Sequence, residues 1–313
     1  MNDRGPTPGD GSDPEWKWPR LDHASAGALL AGRLPAGLDG GLEPIGQGDF
    51  CLAFRSRDRV VRVARHGAAA VALRREACVL AAIAGRLPVA VPRPTHHEPE
   101  GCPPFSVHTE IIGSVLTRSL WESMPGMARR RAASDLAAFL LALHHLPPAL
   151  GSTCGLTRVV RSEQARRLRD PSARRLAPLL DGPPRRALAR ALQQAARVEA
   201  ETPDALLHGD IAPGHLLCDP ASGRLSGVID FGDLVIGEPA RDFIYLYEDF
   251  GPAVLADVVS EYEDRDPAAL VAAIRSWYLI EAVDWTLRAL AGQRNAEVAE
   301  GLAAIQQECD AGP

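Results

Sequence analysis

The spacing of apolar positions changes character near residue 113. Ahead of it the pattern is mostly that of strands. Residues 42–55 read as strand, glycine turn, strand, and over residues 59–65 valines interleave with Arg59, Arg62 and Arg65 as a third strand. One helix intervenes, because Val71, Ala72, Val79, Leu80 and Ile83 recur with helical period through residues 71–86. Pro88, Pro92 and Pro94 end it, and residues 105–113 form a further strand that closes at Gly113. A short helix is also expected over residues 24–33.

From Met124 onward the period is helical. Residues 127–146 start polar and carry an apolar stripe through Leu136, Phe139, Leu140 and Leu143. His144 and His145 read as helix-terminal residues favoured by the dipole. Residues 157–200 give two arginine-rich helices broken at Asp181-Gly182-Pro183-Pro184, and residues 243–307 are helical again. Between them lie two short apolar strands, Leu216-Leu217-Cys218 and Val228-Ile229, with turn chemistry over residues 220–227.

A chain of 313 residues, 46% hydrophobic and 24% charged, has the balance of a soluble globular protein with room for two lobes. No apolar run approaches the ~20 residues of a membrane span. Residues 1–20 read as a disordered leader without the apolar core of a signal peptide, so a cytoplasmic location is the default. The net charge of −6 argues against nucleic acid as a partner. Cys51, Cys78, Cys102, Cys154, Cys218 and Cys309 are dispersed, which favours free buried thiols over zinc ligands or disulfides. Lys17, in the leader, is the only lysine, so a permanent cation in any active site must be arginine or metal.

The chemistry concentrates in the hairpin region. A hairpin brings its ends together, so Asp210, before the first strand, and Asp230, closing the second, are expected to share one site. Two close carboxylates without a basic partner repel each other, and a divalent cation is the usual resolution. His208-Gly209-Asp210, a polar residue five positions on at His215, and Asp230-Phe231-Gly232 resemble the catalytic loop and DFG of kinases. With residues 229–233 (IDFGD) and Gly237-Glu238-Pro239-Ala240-Arg241-Asp242 added, the chain resembles the aminoglycoside phosphotransferase family, antibiotic kinases of protein-kinase-like fold. Its Pro213-Gly214-His215 run is most similar to the macrolide phosphotransferase branch.

That resemblance implies roles. Asp210 would take or orient the proton of the acceptor hydroxyl, Asp230 would bind Mg²⁺, and His208 and Asp242 would support the catalytic loop. Gly46, Gly48 and Asp49 would cover the nucleotide, although glycines between strands equally fit a plain hairpin. Arg62 would grip the phosphates and pair with Glu76; the plainer readings are a solvated strand arginine and an intrahelical surface pair. The Thr109 carbonyl and Ile111 amide would meet the base edge, with His108 a strand residue nearby. Most of the family has asparagine where this chain has His215, which is read as a metal or phosphate ligand or as a weakened second metal site. Asp219 and Asp233 read as turn or cap residues.

The acceptor region implied by the family is acidic here. Residues 237–313 hold fifteen acids against five arginines. Trp277, Glu281, Asp284 and Trp285 share one helix face, which would suit a partly apolar cation or else be a core face with acids at its margin. The expectation is an α+β bilobal protein-kinase-like fold. Residues 21–113 would be a small antiparallel-sheet N-lobe with one key helix, and residues 114–313 a larger, mainly helical C-lobe. Its activity would be transfer of the γ-phosphate of ATP or GTP, with Mg²⁺, to a hydroxyl of a small natural product, an antibiotic first of all. A metabolic small-molecule kinase and a nucleotide-binding pseudokinase are the alternatives. No nucleic acid or membrane partner is expected, and the oligomeric state is left open.

Overall fold

The computed structural model describes residues 20–38, 41–98, 100–101, 103–197, 203–263 and 265–311. The expected leader lies almost wholly outside them. The first lobe opens with helix α1 (His23–Leu30), capped by Asp22, whose side chain accepts from Ser25 N. Strands β1 (Glu43–Gln47), β2 (Cys51–Ser56), β3 (Arg59–Ala64), β4 (Pro94–Glu98) and β5 (Phe105–Thr109) build one antiparallel sheet in the order β1-β2-β3-β5-β4. Period-2 alternation sends Phe54, Val61, Val63, Phe105 and Val107 into a core beneath α1. Helix α2 (Gly67–Ile83) crosses between β3 and β4 and buries Glu76 along with its apolar stripe.

The sheet ends at Thr109, short of the strand expected to run to Gly113, and residues 110–113 lead out of it. Strand β6 (Ser114–Val115) pairs instead with the hairpin of the second lobe. There follow α3 (Arg118–Ser123), α4 (Gly126–His144), α5 (Pro148–Thr153), β7 (Arg158–Val159), α6 (Arg161–Arg175), α7 (Gly182–Ala195) and β8 (Ala205–Leu207). The hairpin is β9 (Leu216–Cys218) and β10 (Leu225–Val228), with Asp219 accepting from Ala221 N and Ser222 Oγ in its turn. Strand β11 (Val235–Gly237) joins β7 and β8, and α8 (Pro252–Glu261), α9 (Pro267–Ala291) and α10 (Asn295–Ala311) complete the chain. The architecture is α+β and bilobal. The cleft between the lobes lies where α2 meets the turn after β10. No helix among the described residues is long and apolar enough to cross a membrane.

The cysteine expectation is corrected in part. Cys78 of α2 and Cys154, at the end of α5, form a disulfide across 76 residues of sequence, while Cys51 and Cys218 are buried free thiols. No spacing motif announces the pair, because packing of two separate helices brings it together. Cys102 lies outside the described residues.

Candidate active site

The hairpin does bring its two ends together. Asp210 follows β8 on a loop held by Asp242, whose buried carboxylate accepts from His208 N at 2.9 Å and Gly209 N at 2.7 Å. Gly209 has φ +85°, and a Cβ there would lie 2.1 Å from Asp233 O, so only glycine fits. The His208 ring is buried edge-on against Phe231. Its Nδ1 accepts from Asp210 N and its Nε2 donates to Ile229 O, so it ties the loop to the end of β10. Burial lowers its pKa to about 4, and it acts as a neutral strut.

Asp230 sits at φ 63°, a conformation uncommon for a residue with a side chain. That turn presents its carboxylate to three elements. Arg62 Nη2 of β3 donates to Oδ1 at 2.6 Å, and the same guanidinium is bonded through Nη1 to Glu76 of α2. His215 lies between the two aspartates, its Nδ1 3.4 Å from Asp210 Oδ2 and its Nε2 3.7 Å from Asp230 Oδ2. The same Nδ1 donates to Asp210 O at 2.9 Å. The carboxylates therefore do have basic partners, which the sequence reading did not supply.

The charges follow from this layout. Enclosure alone would raise Asp230, but Arg62, His215 and His208 outweigh it and hold the carboxyl at about 2. Burial raises Asp210, assisted by the Asp230 charge and opposed by His215. Burial would lower His215, yet Asp210 and Asp230 reverse that and raise it. Asp233, expected as a turn residue, is a third acid of the cluster. Burial and then the charges of Asp210 and Asp230 push it up to about 7.

Two residues escaped the sequence reading. His144 does not merely end its helix at the surface: its Nε2 is 3.0 Å from Asp242 Oδ2 and its Nδ1 2.9 Å from Tyr262 Oη, all three residues being buried. Tyr262, at the end of α8, thus braces the carboxylate that braces the loop carrying Asp210. The signal was a histidine on the apolar stripe of α4 at a position polar groups occupy only with a partner.

The acceptor face drawn from α9 is not formed as an open surface. Trp277 is fully buried, and its Nε1 donates to Glu238 Oε2 at 2.8 Å. Trp285 is buried beneath Gly301 of α10. Asp284 is paired with Arg167 and Arg288, and Glu281 accepts from Arg241 at 3.1 Å. Arginines from other elements neutralise the acids, and the core takes the tryptophans. The acids nearer Asp210 are Asp233 and Asp249, the latter in the π-helical turn Leu246–Phe250.

In the first lobe, Gly46 pairs with Ala53 inside β1, while Gly48 and Asp49 occupy the β1–β2 turn, none of the three at positive φ. Arg65 binds Gly48 O, and Arg20 binds Asp49 through O at 3.0 Å and Oδ1 at 2.5 Å. Thr109 ends β5, its hydroxyl accepting from Arg59 at 2.7 Å. Ile111 packs on Gly227 of the hairpin, where a Cβ would come within 2.4 Å of Ile111 Cγ2.

A strand arginine bonded to a helix glutamate and two loop aspartates in this order resemble the arrangement of a kinase-like phosphotransferase site. Residues 52–273 match the phosphotransferase enzyme family, and the chain belongs to it. It is 29% identical over 290 residues to a viomycin phosphotransferase of Streptomyces vinaceus, covering 88% of this chain and 96% of that protein. The fold matches the GDP complex of aminoglycoside 2'-phosphotransferase-IIIa with a TM-score of 0.82 at 23% identity, over 93% of this chain and 99% of that one. It also matches the apoenzyme of macrolide 2'-phosphotransferase MphH from Brachybacterium faecium, with a TM-score of 0.67 at 20% identity over 89% and 97% of the two chains.

Proposed function

We propose that this phosphotransferase moves the γ-phosphate of a nucleoside triphosphate onto a hydroxyl of an antibiotic, and that the acceptor is a cation. The Arg62–Asp230 contact carries the reading, because it sets the strand cation and the metal-facing carboxylate on one short line across the cleft. The viomycin phosphotransferase likeness and the folds of aminoglycoside and macrolide phosphotransferases support an antibiotic as acceptor. The carboxylate of Asp249 beside Asp210 supports a positive charge on it.

Asp210 stands on the acceptor side, where its carboxylate accepts the hydroxyl hydrogen and aims the oxygen at phosphorus. Arg62, backed by Glu76, steadies the donor phosphates by its charge. Gly46, Gly48 and Asp49 close over those phosphates, and the Thr109 carbonyl and Ile111 amide hold the base. Among the described residues no three metal-ligating side chains form a ready-made cage. Mg²⁺ is commonly held by one or two carboxylates together with substrate phosphates. Asp230 would hold the ion, which neutralises phosphate charge when bound. His215 stands beside Asp230, its Nε2 3.7 Å from Oδ2, in the place where most of the family has an amide.

The test is growth of a sensitive bacterial host expressing the chain or its Asp210→Ala form across aminoglycosides, macrolides and viomycin. Resistance to one class, lost in Asp210→Ala, is the expected outcome. Growth inhibition equal to the empty host for every drug would contradict the antibiotic acceptor.

A further inference from the structure

His66 sits where the β1–β2 turn meets the start of α2. It is the N-cap of that helix, and its ring supplies the capping acceptor. The two ring nitrogens have different partners. Nε2 lies 3.0 Å from Asp49 O; a carbonyl only accepts, so Nε2 carries the proton and donates. Nδ1 then holds a lone pair, which accepts from Ala69 N at 3.2 Å. One neutral tautomer satisfies both bonds. Burial lowers the ring's pKa, the bond to Asp49 O and the Asp49 charge oppose this, and the charges of Arg20 and Arg65 assist it, so the ring stays neutral near pH 7. The Phe50 ring tilts against it, with centroids 5.7 Å apart.

The same turn is held from two further sides. Arg65 binds Gly48 O, and Arg20 binds Asp49 through O and Oδ1. Arg20 is half-exposed and Arg65 also binds Leu21 O, whereas His66 joins the turn to α2. That helix carries Glu76, which holds Arg62. The residue type fits a double task. Serine, threonine, aspartate and asparagine are the commoner caps, and each spends one short polar group on the helix end. Imidazole caps with one nitrogen and reaches on with the other. We propose that His66 is a positioning residue for the donor nucleotide: it fixes the turn of Gly48 and Asp49 against the first turn of α2, so that the loop over the phosphates and the arginine that steadies them keep one spacing. The inference rests on the nucleotide reading above, and His66 acts through the turn rather than by touching the nucleotide.

Two substitutions separate the halves of this role. His66→Asn keeps a cap for Ala69 N but is too short to reach Asp49 O. His66→Gln reaches Asp49 O with its amide N–H and gives up the cap. Titration calorimetry of the full chain with Mg²⁺ and ADP or GDP, whichever the unmodified chain binds tighter, reads affinity without an acceptor, and thermal melts of the same samples read the cap. The expected result is crossed. His66→Asn melts above His66→Gln, yet it binds nucleotide about tenfold more weakly than the unmodified chain, the size of one lost hydrogen bond, while His66→Gln stays within about threefold. A residue that only caps α2 would give affinities in the melting order, and any order other than the crossed one would overturn the proposal. If the asparagine form does not fold, binding by His66→Gln within about threefold supports the proposal and weaker binding overturns it. If the unmodified chain bound neither nucleotide, the phosphotransfer reading would fall and the proposal with it, a result distinct from loss in the variants alone.

Discussion

Arg62 Nη2 donates to Asp230 Oδ1 at 2.6 Å, joining residues 168 apart and linking the two lobes through one guanidinium. The same side chain holds Glu76, so β3, α2 and the turn after β10 meet at a single group. Removing it would leave a buried Glu76 carboxylate unpaired beside the half-exposed carboxylate of Asp230. Arg62→Ala should cut kcat/KM by at least about 100-fold and lower stability by ~3 kcal/mol, as expected for one partner of a buried pair. Arg62→Lys should restore the charge but not both contacts, giving intermediate kinetics. Steady-state assays with thermal melts separate the two effects.

The Tyr262–His144–Asp242 relay predicts a defect at a distance. His144→Ala removes one of the bonds to the Asp242 carboxylate while the two backbone donors remain. Stability should fall by about 2 kcal/mol, the cost of a buried polar group losing its partner. The kinetic loss should appear in kcat more than in nucleotide affinity, because the loop positions Asp210 and not the base.

His215 gives a pH signature. Its folded pKa is raised above the ordinary histidine value of 6.5 by Asp210 and Asp230. A raised folded pKa means the stabilisation is fully present below the unfolded value and fades as pH climbs through the folded one. Melting temperatures of the unmodified chain and His215→Gln should therefore differ most below about pH 6 and converge in mildly alkaline buffer. A difference that widened with pH would refute the bridging role.

The Cys78–Cys154 bond anchors α2, two residues beyond Glu76, to the end of α5. Peptide mapping under non-reducing conditions should recover the linked pair. Reduction with dithiothreitol should destabilise the chain by about 2–4 kcal/mol in a denaturant titration. Free thiols at both positions in the unreduced protein would contradict the bond.

Much of the fold was legible in sequence. The Pro220–Gly227 turn chemistry between two apolar runs announced the hairpin, and the 3.6-residue period of α2 placed Glu76 on the helix that faces Arg62. What stayed hidden depends on partners far away in the chain. His144 looked like a helix end because Asp242, 98 residues on, gives it a buried role. The Trp277 and Trp285 face looked amphipathic because the arginines that neutralise its acids come partly from α6 and from the turn holding Arg241. Asp233 read as a turn residue, since nothing local shows that Asp210 folds back against it. Sequence periodicity reports which face of an element is apolar; it does not report which charges other elements bring to that face.

The central claim is that Asp210 serves phosphoryl transfer to a hydroxyl. Purified chain and its Asp210→Asn form would be incubated with Mg²⁺, γ-labelled ATP and each antibiotic of the panel, and label on the drug followed by mass spectrometry. The account predicts one singly phosphorylated product from the unmodified chain and a rate about 10²–10⁴ lower from Asp210→Asn, the span of a lost general base. Equal labelling by both proteins would contradict the assignment of Asp210, and no labelled drug from either would contradict the antibiotic acceptor.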